Sequence, residues 1–287
     1  MKKALKYTGI GLLVVVVGIA IFAFVTINSG ADRLSTTYAL DYDPADATGD
    51  SASVARGEYI AMTHGCMDCH TSDLSGQVMA DAPPFRMVAS NLTPGTGGIG
   101  STYSDADWLR SIRHGVGPDG RGLFVMPAAQ YYYLSDEEAG DLVAYLKTLE
   151  PVDNELPPTE FKTLGKFIAG MDENFKLEPD MMMDVPRVPM PAERGPTAEW
   201  GRYRTSTICT ICHGTDLTGG QPPDPGSPPA PDLRVAASWD LDGFRTALRT
   251  GETPDGRQLD GYFMPWEAFR HMTDDEIEAI HRHLQTL

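Results

Sequence analysis

Two short stretches contain every cysteine of the chain, and both follow the pattern C-x-x-C-H. The residues are Cys66, Cys69 and His70 in "THGCMDCH", and Cys209, Cys212 and His213 in "STICTICH". On a helical turn, residues i, i+3 and i+4 share a face. Each frame therefore presents two thiols and one imidazole to the same side.

This combination predicts covalent haem c. The two thiols can form thioethers with the porphyrin vinyl groups while the histidine binds the iron. A thiol redox pair favours a βαβ setting, which the sequence lacks. Structural zinc needs a second pair of ligands nearby, but the frames lie 143 residues apart (209 minus 66). Disulfides would leave the histidines unexplained, so we expect two haem c groups bound through His70 and His213.

A second iron ligand decides between an electron carrier and an enzyme. "GLFVMPAAQ" matches "GYFMPWEAF", which places Met126 and Met264 at equivalent positions, 56 and 51 residues after their histidines. We expect both methionines to bind iron. His64 and His114 compete in the first half, but the second half has threonine at both positions, so we interpret them as structural or exposed.

Other residues are expected to support the haem groups. A proximal histidine usually donates its second ring N–H to a carbonyl. The Pro-containing loops "DAPPF" at Asp81 and "PPAPD" at Pro228 are the expected sources of that carbonyl. Arg121 and Arg257, in the repeated "PDGR", are either partners of haem propionates or solvated turn residues.

The chain contains one module twice. "DWLRSIRHGVGPDGR" matches "GFRTALRTGETPDGR", and "SDEEAGDLVAYLKTL" matches "TDDEIEAIHRHLQTL". Ser135 with Glu138, and Thr273 with Glu276, predict capping boxes before the last helix of each copy.

The remaining patterns also predict helices and loops. A middle helix ends at Gly115 or Gly251, and a further helix runs into each frame from about Val54 and about Pro196. No run of alternating strand residues is evident, so the predicted fold class is all-α.

The expected organisation follows from these repeats. It is a transmembrane anchor at 1–28, a linker at 29–53, a first haem-binding module at 54–150, a Pro-rich linker at 151–194 and a second haem-binding module at 195–287. The Pro-rich linker is expected to be extended, with at most a short helix near 161–169. The run Met181, Met182 and Met183 is interpreted as plain linker.

An apolar segment near the N-terminus predicts a membrane anchor. Residues 9–27 form 19 uncharged residues, preceded by Lys2, Lys3 and Lys6. That length can cross a hydrocarbon core, and the lysines orient the N-terminus toward the cytoplasm. A cleaved signal peptide is the alternative, but its apolar region is usually shorter. We therefore expect both modules on the outer, periplasmic face of the cytoplasmic membrane.

The charge balance constrains the partners. The chain has 23 basic and 40 acidic residues, and the three lysines are the only charges before residue 29. The remainder therefore carries 20 basic and 40 acidic residues, a net charge of -20. Such a field disfavours nucleic acid as a partner and favours a basic patch on a redox partner.

The chain resembles class I c-type cytochromes, and more closely the membrane-anchored cytochrome subunits of bacterial alcohol and gluconate dehydrogenases. "NLTPGTGGIGSTYSDADWLRSIRHGVGPDGR", "YLKTLEPVDNELPP" and "ARGEYIAMTHGCMDCH" carry this likeness. Those subunits have three haem groups, whereas this chain has two frames and an N-terminal anchor. The second module is similar only to a generic cytochrome c.

Frames and resemblance together predict a membrane-tethered dihaem cytochrome c. It would pass single electrons as part of a respiratory complex and would not itself be an enzyme. Two alternatives stay open: a dihaem peroxidase, which would need a free sixth position on one iron, and a structural subunit with one idle haem.

Overall fold

The computed structural model describes residues 2–40, 49–182, 185–222 and 226–287. Met183 and part of the predicted 29–53 linker therefore lie outside the described residues. The N-terminal helix α1 spans Lys2–Leu34, and its Leu5–Leu34 portion is long and apolar enough to cross a bilayer. After α1 ends, the N–H of Tyr38 donates to the Gly120 carbonyl at 2.8 Å, so the chain contacts the first module there.

The first module consists of five helices and a hairpin within the described residues. Its elements are α2 (Ser51–Thr63), α3 (Cys66–His70), β1 (Gln77–Asp81), β2 (Phe85–Ala89), α4 (Asp105–His114), α5 (Ala128–Tyr131) and α6 (Asp136–Leu146). A buried core joins the helices; it includes Trp108, Leu109, Leu134, Leu142 and Val143.

The second module repeats this helical plan. Its elements are α9 (Ala198–Ile208), α10 (Thr210–His213), a 3-10 helix (Leu233–Ser238), α11 (Leu241–Thr250), α12 (Trp266–Phe269) and α13 (Asp274–Leu284). Its own core includes Phe244, Leu248, Phe269, Ile277 and Leu284.

A glycine sets the main helix crossing in each module. Gly57 brings α2 against α6, where a methyl group in its place would overlap the carbonyl oxygen of Asp141. Gly201 does the same for α9 against α13, at the carbonyl of Ala279. The first and last helices of each module can approach this closely only because neither glycine carries a side chain.

Helix boundaries agree with the capping signals in most places. Gly115 and Gly251 adopt left-handed conformations at the ends of α4 and α11, with φ of 61° and 75°. Thr273 and Glu276 form the expected capping box. The box predicted at Ser135 is only half formed, because Ser135 accepts from the N–H of Glu138 while the Glu138 side chain binds residues of the second module.

The all-α prediction missed a small antiparallel sheet. β1 pairs with β2, with a bulge between Val78 and Ala80, and β2 pairs with the two-residue strand β3 (Glu160–Phe161). Nearly all residues of β1 are exposed, so the strand has no alternation of apolar and polar residues for a pattern to detect.

The segment between the modules is more structured than predicted. The expected short helix is present as α7 (Thr163–Met171), but β3 precedes it and α8 (Glu178–Met182) follows it. Met182 is buried, and with Met181 it lines a cavity shared with Thr210 and Ile211 of the second module. These two methionines therefore belong to a structured part of the segment between the modules, which was expected to be extended.

Candidate haem c sites

Each C-x-x-C-H frame forms a short helical turn that follows a long helix. Gly65, with φ of 74°, separates α2 from α3, so Cys66, Cys69 and His70 occupy one separate turn. In the second module α10 follows α9 directly after Cys209. All four cysteines are free thiols and partly buried, so disulfides are absent and the thiols are available for thioether bonds.

The two frame histidines are held in the same way. Nδ1 of His70 lies 2.7 Å from the Ser90 carbonyl oxygen, and Nδ1 of His213 lies 2.8 Å from that of Pro231. A carbonyl can only accept, so Nδ1 carries the proton and Nε2 keeps a free lone pair. Burial also lowers the pKa of both imidazoles, which favours the neutral form that binds metal.

The expected source of these carbonyls was right for one module and wrong for the other. Pro231 belongs to the "PPAPD" loop, as predicted. The "DAPPF" segment instead spans the turn between β1 and β2, and Ser90 follows the end of β2. The β1–β2 hairpin occupies the part of the first module where a Pro-containing loop was expected. The carbonyl that binds His70 therefore comes from Ser90, just after β2.

The thiols do not have the character of a zinc site. A structural zinc site closes with four protein ligands that lie close together. The described residues contain no group of three or more His, Cys, Asp or Glu side chains that could hold a metal ion. The donor set fits thioether attachment with histidine as the iron ligand.

The predicted methionines lie on the same cores as the cysteines. Cys66 and Met126 both pack against the first core, and Cys209 and Met264 both pack against the second. In each module the methionine directly precedes the proline that starts α5 or α12. The fold thus brings the thiol and the thioether of each predicted ligand set to one core.

A further observation in the first module fits a bound haem. Trp108 is 2% exposed, and its Nε1 has no hydrogen-bond partner in the described residues. Buried donors normally have an acceptor. Trp108 belongs to the core against which Cys66 and Met126 pack, so it lies in the part of the module where a haem would bind. A haem propionate would supply the acceptor that the Trp108 N–H lacks.

The competing candidates occupy other places. His64 is buried, and its Nδ1 lies 3.1 Å from the Ile60 carbonyl oxygen, as expected for a structural residue. His114 packs edge-on against the ring of Tyr132. Arg121 and Arg257 are exposed, and Arg121 pairs with Asp119 at 3.6 Å.

One cluster between the modules was missed by the sequence analysis. Arg204 is 1% exposed and lies 3.1 Å from Glu138 of the first module and 3.2 Å from Glu276 of the second. Tyr203 donates to Glu138, and Tyr59 donates to Glu276. The repeated G-x-Y at residues 57–59 and 201–203 is the signal that could have revealed the tyrosines, whereas nothing repeated marks Arg204.

The duplicated frames, the carbonyl-bound histidines and the helical cores define a tandem c-type cytochrome. The family model for cytochrome c matches residues 54–150 and 203–287. The chain therefore belongs to the cytochrome c family. Membership implies covalently bound haem c, and two matched regions suggest two haem groups.

Relatives of known function add context. The chain is 27% identical over 274 residues to the fructose dehydrogenase cytochrome subunit of Gluconobacter japonicus, covering 85% of this chain and 54% of that protein. It is 28% identical over 281 residues to the gluconate 2-dehydrogenase cytochrome c subunit of Pantoea cypripedii, covering 85% and 61%. A dihaem cytochrome c-type protein of Cereibacter sphaeroides is 27% identical over 256 residues, with 79% and 83% covered. The chain thus spans little more than half the length of the dehydrogenase subunits.

Proposed function

We propose that this protein is a membrane-anchored dihaem electron carrier that serves a respiratory dehydrogenase. The observation that carries the proposal is the repeated arrangement in each module: a frame histidine bonded through Nδ1 to a carbonyl, with a methionine on the same core as the first frame cysteine. Haem c supplies a one-electron iron couple when bound.

The residues of the chain would attach, orient and tune that cofactor. The frame thiols would hold it covalently, and the Ser90 and Pro231 carbonyls would fix the orientation of the imidazoles. Met126 and Met264 would each supply a second protein ligand to an iron, which would favour electron transfer over chemistry at an open position. The division into an anchor, two modules and linkers at 1–28, 29–53, 54–150, 151–194 and 195–287 is part of the same proposal.

The relatives support a role as a subunit rather than as an enzyme. Two of those described above are named as cytochrome subunits of sugar or sugar-acid dehydrogenases. We infer that this chain accepts electrons from a dehydrogenase on the outer face of the membrane. A quinol-oxidising complex or a terminal oxidase would be alternative redox partners in the same chain of carriers.

A redox titration of the full chain in detergent tests the proposal. We expect covalent haem that resists acid-acetone extraction, two one-electron waves and low-spin spectra in both oxidation states. A chain that matures without covalent haem, or with one haem only, would contradict a dihaem carrier. High-spin iron at either site would favour the peroxidase alternative.

A further inference from the structure

Helix α7, in the segment between the modules, packs against the C-terminal part of α1. Gly30 and Gly170 bring the two backbones together, because a methyl group at either position would overlap the other helix. The rings of Phe22 and Phe167 pack edge to face at 6.3 Å. This packing holds α7 against the last turns of the candidate anchor.

Arg33, near the end of α1, strengthens this attachment. Its guanidinium donates to the carbonyl oxygens of Ala169 at 2.6 Å, Asp172 at 2.7 Å and Phe175 at 2.6 Å. Ala169 and Asp172 lie at the C-terminus of α7, where carbonyls lack partners within the helix and a cation is favoured by the helix dipole. The position of α7 relative to α1 is therefore fixed by charge as well as by packing.

One stripe of α7 is apolar and exposed. Leu164, Ile168 and Met171 are 47%, 44% and 51% exposed, whereas Gly165 and Ala169 are buried. The three large side chains follow the spacing i, i+4, i+7, which places them in one stripe. α7 contains a single charged residue, Lys166, in a chain whose exported part is strongly acidic.

The location of α7 along α1 indicates what covers this stripe. Phe22, the partner of Phe167, precedes the end of the apolar run at Ile27 by five residues, about 7.5 Å along the helix. Ile21, Phe24 and Val25 of α1 are exposed at the same level. The apolar stripe of α7 thus continues the surface that α1 turns toward lipid if it spans the membrane.

We propose that α7 is an interfacial helix whose Leu164, Ile168 and Met171 side chains insert into the outer leaflet of the bilayer. An amphipathic helix of this kind lies at the boundary between headgroups and acyl chains. The inference rests on the proposed role of α1 as an anchor and goes beyond it, because it gives the exported part a second contact with lipid.

This contact would set the position of the first module above the membrane. Phe161 and Phe175, which flank α7, pack with Phe124 at 4.5 and 5.9 Å, and Phe124 packs with Phe85 of β2 at 5.9 Å. β2 leads directly to Ser90, the carbonyl partner of His70. A continuous set of contacts therefore connects the lipid-facing helix to the first candidate haem site.

Cross-linking from lipid tests this arrangement on the unmodified protein. The full haem-loaded chain is reconstituted into phosphatidylcholine and phosphatidylglycerol vesicles that contain a diazirine-bearing phospholipid. After illumination, we expect cross-links on α1 and on the tryptic peptide 167–176, and none on the 3-10 helix around Val235, which is 54% exposed in the second module. Cross-links on α1 without any on peptide 167–176 would overturn the proposal.

Thiol accessibility gives an independent measurement. Ile168→Cys and, if that variant does not mature, Met171→Cys are compared with Val235→Cys in the same vesicles. We expect a membrane-impermeant maleimide to label position 168 or 171 about tenfold more slowly than position 235, because a thiol in lipid is shielded from water. Equal rates would show that the stripe faces water, and slow labelling without lipid cross-links would show that protein covers it.

Two controls separate this result from failures elsewhere. Wild-type chain should not react with the maleimide, since haem attachment consumes its four thiols; labelling of the wild type would contradict the proposed function instead. Release of the chain by an alkaline carbonate wash would show that α1 is not an anchor.

Discussion

Tyr59 of the first module and Tyr203 of the second are equivalent residues, and each contacts the start of the last helix of the other module. The N–H of Thr273 donates to the Tyr59 oxygen at 3.0 Å, and the N–H of Ser135 donates to the Tyr203 oxygen at 2.9 Å. Thr273 and Ser135 are the N-caps of α13 and α6. The two modules therefore satisfy each other's helix ends in a pseudo-twofold arrangement.

This arrangement brings the two candidate haem sites toward one another. Helix α5, which follows Met126, contacts α9 and α10 around the second frame, and α12, which follows Met264, contacts α2 beside the first. Electron exchange between the two haem groups would depend on a fixed arrangement of the two modules at this interface. Arg204, between Glu138 and Glu276, is the buried charge at its centre.

Arg204→Met should weaken the interface. The substitution keeps side-chain volume but leaves two buried carboxylates without their counter-charge, at a cost of about 3–5 kcal/mol. We expect the melting temperature of the haem-loaded chain to fall by roughly 10 °C. Differential scanning calorimetry measures this, with Arg234→Met as the control, because Arg234 is half exposed and pairs with the nearby Asp232. Equal melting temperatures for the two variants would show that the Arg204 cluster does not hold the modules together.

The local parts of this molecule were predictable from the sequence. The C-x-x-C-H turns, the glycine ends of α4 and α11 and the Thr273 capping box depend on residues within four positions of each other. Such signals need no knowledge of the tertiary fold. The duplication singled out Met126 and Met264 as candidate ligands, and the fold places each on the same core as the first cysteine of its frame.

The parts that depend on contacts between modules were not predictable. Arg204 aligns near Ile60 of the first module, so a comparison of the two copies does not single it out. Its partners Glu138 and Glu276 are 66 and 72 residues away in the sequence. The Glu138 carboxylate does not cap the start of α6, because Tyr203 and Arg204 of the second module bind it. The histidine carbonyl lies at Ser90, after a hairpin whose first strand is mostly exposed and therefore carries no periodic signal.

Removing the thiols of one frame should remove one haem. Cys66→Ser/Cys69→Ser and Cys209→Ser/Cys212→Ser should each bind one haem per chain by the pyridine haemochrome assay, because each module has its own core and its own histidine. Thr210→Ala, which changes a middle position of the second frame, should retain two. Loss of both haem groups from either double variant would contradict independent modules.

The methionines can be tested by opening the proposed sixth position. Met264→Ala should convert one iron toward high spin and allow its ferrous form to bind carbon monoxide, and Met126→Ala should do so at the other iron. Met272→Ala is the matched control, since Met272 is 2% exposed in the same core as Met264. That control should lose stability without a spectral change. Rapid carbon monoxide binding by the wild type would show that a methionine is not a firm ligand.

Salt should slow electron transfer from the physiological partner. A basic docking patch would be steered by the charge of -20, and this attraction weakens as the Debye length falls to about 8 Å at 0.15 M salt. Stopped-flow reduction at increasing ionic strength measures the effect. Glu267 lies near Asp68 of the first frame, since partial burial and the Glu267 charge both raise the pKa of Asp68. Glu267→Gln removes one negative charge beside this frame, so it should reduce the rate at low salt. A rate independent of salt would indicate a permanent complex or an apolar interface.

The last prediction concerns Glu178 of α8, a buried acid beside the segment that follows Met126. Its carboxylate accepts from the Ala129 N–H at 3.2 Å, and burial raises its pKa from 4.5 to about 7. A raised carboxyl pKa means that the folded chain holds a proton that the unfolded chain releases. The stability that this proton provides is complete below pH 4.5 and is lost as the pH rises to about 7.

Glu178→Gln should make that stability independent of pH, because the amide oxygen keeps the contact with Ala129 and carries no charge. The variant should melt close to the wild type at pH 5 and above it at pH 8, with a difference of about 3 kcal/mol at most. Melting curves of the haem-loaded chain at both pH values measure this, with the exposed Glu173→Gln as the control. The same melting difference at pH 5 and pH 8 would show that Glu178 does not titrate in this range, and that its burial is compensated by contacts other than the Ala129 N–H.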